Sequence, residues 1–132
     1  MAKQNGAQTV NVVAGKRIIV SAGVGKTNAD ELKWLTDTVL AETADWKYRG
    51  WAYVADCSQM SPVTPAEGAI LVEMTKKFVD AGCKAFGFAE GTSIMLKVQA
   101  KRNTEQSHTG IPEGHYETVD EAIAWIEKEV GI

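Results

Sequence analysis

The sequence is short of the residues from which reactive and cross-linked centres are built. Its 132 residues include two cysteines and two histidines. Cys57 and Cys83 cannot make a disulfide framework, and their spacing matches no zinc pattern. They read as buried free thiols, because an unpaired cysteine packs as a small hydrophobe. Two histidines supply a metal site poorly, so neither a metal nor a cofactor is expected. Three prolines and the absence of any Pro-, Gly- or Ser-rich run leave no linker at which to divide the chain. The opening residues, Met1 to Gly6, are polar and lack the apolar stretch of a signal peptide. No apolar run approaches the roughly 20 residues of a membrane-spanning helix. An excess of positive charge is missing too. Fourteen Lys and Arg against 17 Asp and Glu give a formal net charge of -3, which argues against general binding to nucleic acid or anionic membranes. A cytoplasmic protein is expected.

What is present suits one globular domain. The chain is 45% hydrophobic and 23% charged, and a domain of this length buries about two thirds of its unfolded surface. Residues 1–8 read as a flexible tail and 9–132 as a single α/β domain. Thr9 to Val13 alternates as a strand, Ala14–Gly15–Lys16 is a turn, and Arg17 to Ala22 is a β-branched second strand, antiparallel to the first. Leu32, Leu35, Val39 and Leu40 lie on one helical face, with Asn28 as N-cap and Glu31 as its partner. Gly50 to Cys57 is a third strand. Thr64–Pro65–Ala66–Glu67 carries a capping box with proline at the first helical position. The helix it opens presents Ile70, Leu71, Met74 and Phe78 and stops at Gly82. Cys83 to Ala89 is a fourth strand. Thr92 or Ser93 opens a third helix, with Ile94, Met95 and Val98 expected to face inward. Residues 103–114 read as a polar loop and His115 to Glu117 as a fifth strand. Thr118 caps a last helix with Glu121, presenting Ala122, Ile123, Ile126 and Val130. The order β-β-α-β-α-β-α-β-α predicts a mostly parallel five-stranded sheet with an N-terminal antiparallel hairpin. Cys57 would then end one strand and Cys83 begin its neighbour, about 20 Å apart at ~3.3 Å per residue, too far to bridge.

Chemistry-bearing motifs are few. Gly25–Lys26–Thr27 ends like a phosphate-binding loop, but such a loop needs a glycine five residues before Gly25, and Val20 stands there inside a strand. The segment reads as a strand-to-helix connection in which Gly23 and Gly25 turn the chain, with a weak anion site at the helix N-terminus as its other reading. G-x-S-x-G is absent, and no catalytic constellation appears. Trp46, Trp51 and Tyr53 form an aromatic group, either core between sheet and helix or an exposed patch for a ligand or a second subunit. Asp56 to Thr64 follows the third strand, where sites gather in parallel α/β sheets. It offers Asp56, Ser58, Ser61 and Thr64, with Glu67 just inside the helix. Asp56 as loop brace and Thr64 as cap are their structural readings.

Element order, the Gly25 to Leu40 turn and capped helix, AYVADCSQMSPVTPAEGAI at 52–70 and HYETVDEAIAWIEKEV at 115–130 together resemble the STAS domain. This is the SpoIIAA-like family of anti-sigma-factor antagonists and STAS/SEC14-type proteins. The resemblance implies a non-enzymatic regulatory or protein-interaction domain. Its partner would be an anti-sigma-factor-like or kinase-like protein, or a second copy. In antagonists of that family a serine at the start of the second helix is phosphorylated. The matching position falls on Pro65 or Ala66, so that acceptor is missing, and Ser58, Ser61 or Thr64 would have to carry any phospho-switch. Glu67 replaces the small glycine there and brings negative charge. The SEC14-type relatives imply a second reading, a carrier of a small apolar ligand or lipid. A third is an enzyme with a phosphate site at residues 25–27.

Overall fold

The computed structural model describes residues 2–132. Six strands form one sheet in sequence order: β1 (Lys3–Asn5), β2 (Gln8–Val12), β3 (Ile18–Gly25), β4 (Trp51–Met60), β5 (Cys83–Ala89) and β6 (Glu113–Tyr116). β1, β2 and β3 pair antiparallel, and β3 to β6 pair parallel. Among the described residues there are four α-helices, α1 (Ala29–Thr43), α2 (Pro65–Asp80), α3 (Ile94–Ser107) and α4 (Val119–Glu129), and a 3-10 turn at Ala44–Trp46.

The sheet divides the apolar residues between two cores because successive strand side chains point to opposite faces. Ile19, Trp51, Tyr53, Phe86 and Phe88 pack against Leu32, Leu35 and Val39 of α1, Met74 and Phe78 of α2 and Ala100 of α3. Ile18, Ala52, Val54 and Ala85 pack against Ala122 and Ile126 of α4 on the reverse face. Three helices therefore cover one face and one helix the other. Phe78 sits at the centre of the larger core, edge-on to Trp51 at 5.6 Å and to Tyr53 at 4.9 Å between ring centroids. Full burial of each such side chain stabilises the fold by roughly 1.5–3 kcal/mol.

Helix starts follow their capping residues. Asn28 accepts from Glu31 N, Thr64 from Glu67 N, Ser93 from Leu96 N and Thr118 from Glu121 N. Of the three capping boxes expected, the Thr64–Glu67 box is reciprocal. Glu31 instead turns its carboxylate to Ala7 N and Thr27 Oγ1, and Glu121 accepts from the Thr118 hydroxyl.

Four expectations need correction. The sheet has six strands, because Lys3–Asn5 adds an edge strand where a flexible tail was expected. Its polar residues carry no alternation to read. Backbone pairing with β2 orders it, aided by the Lys3–Glu42 ion pair at 2.6 Å and by Glu31 accepting from Ala7 N. β4 runs to Met60 rather than ending at Cys57, because Val24 and Gly25 extend β3 alongside it, across a register shift after Ala22. The β4–α2 loop shrinks to residues 61–64. α3 faces the opposite way: Leu96, Ala100 and Thr104 are buried, whereas Ile94, Met95 and Val98 are 79%, 59% and 47% exposed. Leu96 and Ala100 continue to Thr104 at i, i+4 and i+8, and this polar-ended stripe is the one that packs. Finally, α3 consumes residues 103–107 of the expected loop, and β6 begins at Glu113.

Candidate functional site

The parallel register brings two separate stretches of sequence together at the C-terminal edge of the sheet. Gly25 at the end of β3 pairs with Met60 at the end of β4, and Ser61 N donates to Gly25 O at 2.9 Å. The Gly25–Lys26 turn and the β4–α2 loop are thus one surface. Gly25 has φ +72°, the left-handed backbone that turns the chain off β3. Within this surface the three hydroxyls differ in their commitments. Ser58, on the exposed end of β4, donates to Asp56 Oδ1 at 2.7 Å, and its backbone N donates to the same oxygen. Thr64 Oγ1 accepts from Glu67 N while Glu67 Oε1 accepts from Thr64 N. Ser61 is exposed, and among the described residues its hydroxyl makes no side-chain hydrogen bond. The loop is braced from α3: Val63 N donates to Gln99 Oε1, and Gln99 Nε2 donates back to Val63 O.

Lys26 and Thr27 stand in different surroundings. Thr27 is 3% exposed. Its hydroxyl accepts from Gln8 Nε2 at 3.0 Å and donates to Glu31 Oε1 at 3.0 Å. The Glu31 carboxylate lies against the one hydroxyl an anion would need, and like charges repel. Lys26 alone remains exposed.

The aromatic group is interior. Trp51 and Tyr53 are 0% and 2% exposed, which fits the core reading and not the exposed-patch alternative. Trp51 Nε1 donates to Ala81 O at 2.9 Å, and Tyr53 shares a hydrogen with Ser21 Oγ. Trp46 is half-buried against the same core. Burial pushes the Tyr53 hydroxyl well above its usual range, against the opposing effect of Ser21, so it stays protonated. Beside Tyr53 lies a cavity of about 90 Å³ between the sheet and the inner faces of α2 and α3. Leu71, Met74, Phe88, Leu96 and Ala100 line it, with Asp56 and Ser61 at its margin.

One cluster has no counterpart in the sequence reading. Glu90, the residue after β5, is fully buried. Its Oε2 lies 2.9 Å from His115 Nδ1, and Glu113 Oε2 lies 2.9 Å from His115 Nε2. Glu113 Oε2 also accepts from Thr104 Oγ1 of α3 at 2.7 Å. Phe88 stacks on the imidazole at 5.0 Å. Burial pulls the His115 pKa down, but the hydrogen bonds and charges of Glu90 and Glu113 outweigh it and hold it above the ordinary 6.5. Glu90 and His115 are 25 residues apart in the chain. Only the parallel β5–β6 register, which pairs Phe88 with His115, makes them neighbours. Burial pushes both thiols up to about 12, Cys57 with help from Glu90. Both cysteines are free, and neither supplies a thiolate near neutral pH. Among the described residues no group of three or more His, Cys, Asp or Glu is arranged to hold a metal ion. Among them, too, no helix is long and apolar enough to cross a membrane.

No family model matches the sequence, and no curated protein matches it significantly. Solved structures do match. An uncharacterised DUF3478-family protein with a SpoIIAA-like fold from Shewanella loihica PV-4 superposes with a TM-score of 0.70 at 13% identity, over 95% of this chain and 98% of that one. The chain has a SpoIIAA-like fold. An anti-sigma factor antagonist from Mycobacterium paratuberculosis superposes with a TM-score of 0.56 at 14% identity, over 91% of this chain and 94% of that one. At these identities the likeness carries the fold. The chemistry of this SpoIIAA-like domain has to be argued from its own residues.

Proposed function

We propose that this SpoIIAA-like domain is a non-enzymatic regulatory module that binds another protein through the β4–α2 loop and the exposed side of α2, and that Ser61 is its phosphoacceptor. The observation that carries the choice of residue is the difference among the three hydroxyls. Ser58 is held by Asp56 and Thr64 by its capping box, whereas Ser61 is exposed and uncommitted. A phosphate on Ser61 would add nearly two negative charges beside the Gly25–Lys26 turn, where the Lys26 ammonium is exposed. The likeness to an anti-sigma factor antagonist supports a regulatory role exerted through protein contacts. A groove of about 500 Å³ between α1 and α2, lined by Lys33, Asp37, Ile70, Glu73 and Lys77, continues the surface away from the loop. Its mixed charges suit a polar protein partner.

The test is peptide mapping of the protein isolated from its native host, with pull-downs of the wild type, Ser61→Ala and Ser61→Asp. Phosphate on Ser61, and partner capture that differs between the two variants, supports the reading. No phosphate on residues 56–67 under any growth condition overturns the switch.

The cavity supports a second reading, binding of a small apolar molecule. At about 90 Å³ it lies well below the roughly 300–1,000 Å³ of sites that take drug-sized ligands. A lipid acyl chain would therefore require α3 to move outward. Titration with a lipid panel, followed by tryptophan fluorescence, separates the two: a flat response removes the carrier reading.

A further inference from the structure

We propose that Glu90, His115 and Glu113 form a proton-held clasp that pins α3 to the sheet, so that loss of the proton frees α3 and opens the cavity beneath it. The inference is independent of the proposed phosphorylation.

The geometry calls for a proton in each of two contacts. Both ring nitrogens of His115 lie 2.9 Å from carboxylate oxygens, Nδ1 from Glu90 and Nε2 from Glu113. A neutral imidazole carries one N–H and one lone pair. In that state one carboxylate would face the lone pair at hydrogen-bonding distance. An imidazolium donates to both. Glu90 sharpens the requirement, because it is fully buried and its Oε1 has no partner among the described residues. A buried carboxylate with one free oxygen depends on its remaining partner being charged.

The placement makes the cluster a clasp. Glu90 lies three residues before Ser93, the N-cap of α3, and Ser93 N donates to Glu90 O. Glu113 holds Thr104, in the third turn of α3. His115 on β6 thus joins Glu90, at the approach to α3, to Glu113, which holds its far half. α3 in turn supplies Leu96, Gln99, Ala100, Asn103 and Thr104 to the cavity wall. The remaining groups around the ring leave its charge balance to the two glutamates. From β4, Cys57 stays a neutral thiol, and Phe88 of β5 stacks on the imidazole face. From α3 comes the Thr104 hydroxyl. Glu105 and His108 line the same groove as Glu113 and are exposed. α4 packs on the other face of the sheet.

The sign of the pH dependence follows. The folded pKa of His115 lies above the unfolded 6.5. Its contribution to stability is therefore complete below 6.5 and is lost as pH rises through the folded value.

Imidazole NMR tests the clasp directly, because the chain has two histidines and a His108 variant assigns their signals. His115 should keep its proton above the ordinary imidazole value of 6.5. Amide exchange over residues 96–107, corrected for intrinsic rates and referred to α1, should accelerate as His115 titrates. Each unit by which the folded His115 value exceeds 6.5 is worth tenfold in that acceleration. In His115→Gln that acceleration should be present at all pH values. If this variant fails to fold, Glu113→Gln keeps the Glu90–His115 pair and should raise exchange in α3 while leaving α1 unchanged. Titration of His115 at or below 6.5 overturns the proposal. So does α3 exchange that stays flat through the His115 titration.

Discussion

Thr27→Val decides between a structural and an anion-binding Gly25–Lys26–Thr27. Valine is nearly isosteric, so the substitution leaves no cavity and removes only the hydroxyl. Two hydrogen bonds go with it. Gln8 Nε2, on a side chain 2% exposed, loses its acceptor at 3.0 Å, and Glu31 loses a donor at 3.0 Å. An unsatisfied buried amide costs about 1–3 kcal/mol, and the half-buried bond to the carboxylate adds about 1 kcal/mol. The extra methyl returns about 0.8 kcal/mol. The net loss is about 2 kcal/mol, because Gln8 anchors the β2 edge to the start of α1. At a urea dependence of roughly 2 kcal/mol per molar, the midpoint should fall by about 1 M. Tryptophan fluorescence follows it, since the chain has four tryptophans and Trp51 is fully buried. Millimolar phosphate should leave wild type and variant equally stable, because a ligand stabilises only what it binds. A variant within about 0.5 kcal/mol of wild type, together with a wild type that phosphate stabilises and a variant that it does not, would refute the structural account.

Thr64→Ala removes the acceptor of a reciprocal capping box and should cost about 1 kcal/mol, read as a lower urea midpoint with an unchanged slope. Phe78→Ala empties the centre of the larger core, where the ring touches both Trp51 and Tyr53. It should cost about 3–5 kcal/mol, and thermal unfolding by circular dichroism measures it. Cys57 and Cys83, with thiols pushed up to about 12, should react slowly with a thiol reagent at about pH 8 in the folded protein and rapidly in urea, since free thiols ionise near 8.5. Rapid titration of either thiol in the native state would contradict the buried Cys83, the half-buried Cys57 and their raised thiols.

The capping residues show how far local chemistry reaches. Asn28, Thr64, Ser93 and Thr118 each start a helix with interactions confined to one turn, so position along the chain is enough to find them. The alternation of Trp51 to Val54 between the two cores is local for the same reason, as is the spacing of Leu32, Leu35 and Val39. These features determined the element order and the α/β class. They also placed Val20 where a phosphate-binding loop needs glycine.

The tertiary structure decided what lies across strands. Which stripe of α3 turns inward depends on what α2 and the sheet present to it, and Leu96, Ala100 and Thr104 won over the more apolar Ile94, Met95 and Val98. β1 exists because β2 offers it a backbone edge, and its own three polar residues carry no signal. Ser61 became the uncommitted hydroxyl only once the partners of Ser58 and Thr64 were assigned. The Glu90–His115–Glu113 cluster is the extreme case. Its first two members are 25 residues apart in the chain, and a parallel register, a relation between strands rather than a property of either, sets them 2.9 Å apart.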